Sequence, residues 1–174
     1  MTAQTQLIPA SELGEGQAAA IRNEIIRQVV AMAMKGLGKL EKDIVVRDIR
    51  PLADLDYTYE DWRETTGATA NTYEDMCNSS MADGRWVVIF GVKIDPDSPS
   101  CSMLRFSVGG AERAIWQLQA LGARDDYVGL SPFGIVIPPN APYIISRYVR
   151  SVSKTANIVL KGVVVESRGK VVSP

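Results

Sequence analysis

The 174-residue chain contains no histidine and only two cysteines, Cys77 and Cys101. Histidine is the usual general base near neutral pH and the commonest metal ligand. Without it, Ser-His-Asp triads and histidine-ligated zinc hydrolases are excluded. Two cysteines permit one disulfide at most, and their wide spacing fits no zinc-binding pattern. No apolar run approaches the ~20 residues needed to span a bilayer. The opening MTAQTQLIPASELGEGQ has no basic end followed by an apolar stretch, as a signal peptide would. The expectation is a chain made in the cytoplasm, with reduced thiols and no membrane span. An excess of either charge is missing too: 19 basic residues face 20 acidic ones, a net charge of −1. Such a balance supplies no general field for a phosphate backbone and argues against dedicated nucleic-acid binding. Arg147, Arg150, Lys154 and Lys161 fall in one C-terminal stretch and read as solvated positions on exposed strands.

What is present is 46% hydrophobic and 22% charged residues, enough for one globular domain with its own core. Residues 1–10 are polar, with Pro9 near their end, and read as a flexible N-terminal arm. Residues 11–174 form the domain, with a helix over 17–35 followed by a β-sandwich over 43–174. Ile21, Ile25, Val29, Met32 and Ala33 recur at helical spacing as one apolar stripe, and Gly36 and Gly38 supply the stop.

Strands are expected at Ile44–Ile49, at Trp86–Ile94, which is apolar on both faces, and at Ser102–Val108, which alternates. Asp95–Ser100 is turn material, so the last two read as a hairpin. Gly109-Gly110 opens an expected short helix over 111–121, with Ala114, Ile115, Leu118 and Leu121 on one face. Strands follow at 134–137, 143–149 and 157–166, with a short final one at Lys170-Val171-Val172. The stretch 53–83 gives no clear pattern: it holds either a functional excursion or an unplaced helix. The fold class is thus mainly β, an antiparallel β-sandwich or jelly-roll-like barrel with an N-terminal amphipathic helix and one short helical insertion.

Candidate chemistry is sparse. Lys35-Gly36-Leu37-Gly38-Lys39 lacks the spacing and the Ser or Thr of a phosphate loop and reads as a helix end. Asp95, Asp97 and Ser98 lack the glycine and glutamate of a calcium loop. Ser131 lies in Gly-Leu-Ser-Pro-Phe, without the second glycine of a nucleophile elbow. Neither cysteine has a histidine to activate it. Asp54, Asp56, Glu60, Asp61 and Glu64 surround Tyr57, Tyr59 and Trp62, but no spacing fixes two acids at the separation a glycosidase needs. The chain therefore reads as a non-enzyme, with no catalytic residue, cofactor or metal assigned. Its aromatic cluster reads instead as contact surface.

Ile135–Tyr143 (IVIPPNAPY) and Ala156–Val165 (ANIVLKGVVV) resemble the closing strands of small jelly-roll virion proteins of tailed and membrane-containing phages. That resemblance implies a capsid, decoration or tail-associated component, located in the virion, whose partners are copies of itself and other virion proteins. Tyr57, Tyr59, Trp62, Pro138, Pro139, Asn140 and Pro142 are the candidate interface residues. The alternative is a carbohydrate- or ligand-binding β-sandwich module in which Tyr57, Tyr59 and Trp62 form a stacking platform.

Overall fold

The computed structural model describes residues 7–9, 13–94, 101–118, 126–129 and 134–170. The chain order is β1 (Leu7–Pro9), α1 (Gly14–Leu37), β2 (Ile44–Asp48), α2 (Pro51–Leu55), β3 (Arg63–Thr65), β4 (Thr72–Ser80) and β5 (Arg85–Ile94). It continues through β6 (Cys101–Val108), β7 (Ala111–Gln117), β8 (Asp126–Gly129), β9 (Ile135–Ile137), β10 (Pro142–Val149) and β11 (Thr155–Ser167).

Two antiparallel sheets result. One has the order β1-β8-β5-β11-β2, with β3 added to β11 and β9 to β5; the other is β4-β10-β6-β7. The pairings nest. β2 pairs β11, β4 pairs β10, β5 pairs β8 and β6 pairs β7, so the first of these strands meets the last and the series closes inward. This is the strand order of a jelly roll, laid out as a two-sheet sandwich rather than a closed barrel.

The expected hairpin between 86–94 and 102–108 does not exist: β5 and β6 lie in different sheets. The tight hairpin is one step later. Gly109 and Gly110 have φ of 64° and 76° and join β6 to β7, with Val108 opposite Ala111. Two consecutive positive φ values are what a two-residue type I′ turn requires, and glycine adopts them without a Cβ clash. The helix expected over 111–121 is therefore corrected to a strand over its described part. Ala114, Trp116 and Leu118 point inward at a two-residue period.

Between the sheets lies the main core, including Val87, Ile89, Leu104, Phe106, Trp116, Tyr143, Ile145 and Val164. A second core forms where α1 crosses the outer face of the larger sheet. Ile25, Val29 and Ala33 meet Trp86, Val88, Phe90, Val163 and Val165 there. The expected stripe holds for Ile25, Val29 and Ala33, but Met32 turns outward and is 44% exposed. Gly38 ends the helix with φ of 61° and donates its N–H to the Met34 carbonyl. Gly36 has another role: a Cβ there would stand 2.6 Å from the Trp86 ring.

Leu7–Pro9, expected within the arm, instead form β1 and pair with Gly129–Tyr127 of β8. The rest of the arm, the Asp95–Ser100 turn with its calcium-loop candidates, Ser131 and the Val171-Val172 segment lie outside the described residues. Lys170 belongs to a 3-10 turn rather than to a final strand.

Candidate functional site

The three aromatics expected to form one platform are separated by burial. Tyr57 is 1% exposed and belongs to the main core, so it is not a surface contact residue. Trp62 is half-buried and packs on the same core, its ring centroid 5.3 Å from that of Tyr57. Tyr59 alone stands out, at 50% exposure. The loop carrying Tyr59 is thus tethered by the buried Tyr57 on one side and the half-buried Trp62 on the other.

Tyr59 lines an open groove of about 740 Å³ together with Glu60, Asp61, Arg63, Thr65 and Thr155. Its floor is built from paired strands, because Thr155 stands opposite Thr65 and Asn157 opposite Arg63 in the β3–β11 register. Next to it, the buried Thr66 hydroxyl donates to the Ser151 carbonyl and accepts from the Lys154 N–H. The Asp61 carboxylate accepts the Arg63 backbone N–H at 3.2 Å, which fixes the turn into β3. Of the five expected acids, Glu60 and Asp61 reach the groove and Asp56 is exposed beside it in sequence, as the left-handed cap of α2. Asp54 is elsewhere.

Asp54 is buried at the end of the sandwich, where α2 closes it. Arg47 of β2 donates to Asp54 and to Glu166 of β11, and Arg85 of β5 bridges the same two carboxylates at 3.2 and 2.9 Å. The Arg50 backbone N–H also donates to Asp54, at 2.7 Å. Burial works against the Asp54 charge, but the Arg47 guanidinium and the Arg50 N–H outweigh it and hold its carboxyl below the ordinary value. Both carboxylates are saturated by arginine donors, which makes this cluster a structural clamp across three strands.

The proline segment is a stiff turn. Asn140 has φ of 61° and the Ala141 N–H donates to the Pro138 carbonyl. With Pro139 before a positive-φ residue, this is the pattern of a type II turn. Main-chain hydrogen bonds of 3.0 Å link Asn140 and Ala141 to Met81, and the Asn140 side chain reaches Asp83. Pro138 and Asn140 are exposed and Pro139 half-buried. Pro142, expected in the loop, is the first residue of β10, a strand position where proline is tolerated.

Arg147 is not on a solvated face: it is 2% exposed and donates to Glu74 at 3.2 Å and to the Thr65 carbonyl. Cys77, expected in a loop, lies in β4; both it and Cys101 are buried and not joined as a disulfide. Composition also gave no hint of a second polar and aromatic cluster on the outer face of the smaller sheet. There the Arg105 guanidinium lies 4.0 Å from the Tyr73 ring centre, Tyr148 meets Tyr73 edge-on, and Ser146 donates to Asp75. Tyr148 and Tyr73 meet only through the β4–β10 register, a pairing for which the sequence carried no signal. Among the described residues, no group of three or more potential ligands is placed to hold a metal ion, and no helix is long and apolar enough to cross a membrane. Neither a protein-family model nor a curated protein matches this chain.

Proposed function

We propose that this chain is a structural building block that acts in many copies, a virion component such as a capsid, decoration or tail-associated protein. The observation that carries the reading is the nested pairing of eight strands in two sheets, a jelly roll, the architecture that capsid proteins share with lectin domains. The likeness of the closing segments to small phage jelly-roll proteins points the same way. Further support comes from the end of the larger sheet. β2 terminates it, and Val46 on that strand is 41% exposed. Leu40 before it and Leu52 after it are 62% and 45% exposed. An open strand edge with apolar side chains beside it favours addition of a strand or a flat surface from a neighbouring copy.

Light scattering coupled to size exclusion tests this across a concentration series. A discrete oligomer that Val46→Lys dissociates is the expected result. A chain that stays monomeric at high concentration and is absent from purified virus particles by mass spectrometry would overturn the proposal.

A further inference from the structure

We infer that the groove beside Tyr59 is a binding site for a neutral oligosaccharide. The observations are independent of assembly. The groove holds about 740 Å³, enough for a few sugar units, and combines one aromatic ring, two carboxylates, one guanidinium and two threonines. A pyranose presents an apolar C–H face and a rim of adjacent hydroxyls. A half-exposed tyrosine ring offers the first a stacking surface. Planar carboxylate and guanidinium groups bridge neighbouring hydroxyls through two hydrogen bonds each.

Three charged groups of the lining, Glu60, Asp61 and Arg63, have hydrogen-bonding capacity for that purpose. Among the described residues, no intramolecular hydrogen bond or ion pair engages the Glu60 carboxylate or the Arg63 guanidinium, while Asp61 spends one acceptor on the Arg63 N–H. The charges within the groove sum to a slight negative value, which disfavours phosphate, nucleic acid and acidic sugars and leaves neutral glycans as the matching class. Preorganisation comes from the residues that are not in the groove. Tyr57 and Trp62 pin the loop on both sides of Tyr59, and the β3–β11 pairing fixes Arg63, Thr65 and Thr155. A site whose loop is already ordered loses less entropy on binding.

The test uses the full chain on an array of neutral and acidic glycans, followed by titration calorimetry with the neutral oligosaccharide that gives the strongest signal. Tyr59→Ala should weaken binding about tenfold or more through lost stacking, and Asp61→Asn should weaken it as well. Tyr59→Phe should retain it, because the ring is kept. Both positions are exposed, so melting temperatures of all three variants should match wild type and separate lost binding from lost fold. No glycan bound at millimolar concentration, binding of acidic glycans alone, or binding unchanged in both Tyr59→Ala and Asp61→Asn would each overturn the assignment.

Discussion

Replacing Asp54 with asparagine isolates the clamp at the closed end of the sandwich. The substitution keeps shape and volume but removes a charge whose side chain is fully buried. It leaves Arg47 and Arg85, each less than a fifth exposed, facing Glu166 alone. Breaking a buried ion pair from one side costs about 3–5 kcal/mol, because the surviving charges remain desolvated. Asparagine can still accept from the Arg50 N–H, so the lower end, about 3 kcal/mol, is the expected loss. For a chain of this size that corresponds to a fall of roughly 6–12 °C in melting temperature. Trp86 and Trp116 are both buried, and their fluorescence in a urea titration reports the midpoint directly.

The effect should also depend on pH with a defined sign. The folded-state pKa of Asp54 lies below its unfolded value. The stabilisation is therefore complete above the ordinary carboxylate value, about 3.9, and is lost as pH falls through the depressed folded value. The midpoint gap between wild type and variant should narrow below about pH 4. A variant within about 0.5 kcal/mol of wild type at neutral pH would refute the argument, since that is the range of an ordinary surface change.

Two further outcomes test the packing. Ile25→Asp places a carboxylate against Trp86, Val88 and Val163 and should destabilise by several kcal/mol in the same urea assay; an unchanged midpoint would mean that α1 does not sit on the sheet. Gly162→Ala should cost about 1–3 kcal/mol, because its Cβ would collide with the Val88 carbonyl and approach the Ile89 Cα at 3.1 Å, both backbone atoms of β5 that cannot rotate away; thermal melting checks it.

The strands that could be read in the sequence share one property: their alternation or apolar run is uninterrupted. β2, β5, β6, β9, β10 and β11 all lie within a few residues of where that pattern places them. β4 was hidden in the 53–83 stretch because Met76 has no partner in the β4–β10 register, a bulge that turns Met76 and Cys77 both inward and breaks the period. Its sequence, TYEDMCNSS, is also poor in β-formers. β7 was mistaken for a helix because Ala114 and Leu118 fit both a four-residue spacing and two steps of alternation, and seven residues are too few to separate the periods. Pairing β5 with β6 followed from their adjacency in sequence, which a jelly roll overrides by sending successive strands to opposite sheets. At the groove, composition singled out the loop that lines it but could not tell Tyr57 from Tyr59, since exposure is decided by distant core residues. The clamp was illegible for the same reason: Arg47 meets a glutamate 119 positions away.

The nested pairing also dictates an order of events during synthesis. The Gly109-Gly110 hairpin closes a loop of two residues and can form as soon as β7 emerges, whereas β2 must wait more than a hundred residues for β11. Until residues 155–167 leave the ribosome, β5 lacks the neighbour that covers nine of its positions, and β2 and β3 lack the strand that pairs with them among the described residues. The most apolar strand of the protein is therefore exposed along one edge for much of translation. Long-range closure of this kind makes folding slow and the unfinished chain prone to aggregation. A stalled or truncated product ending before Thr155 is the species from which insoluble material should grow.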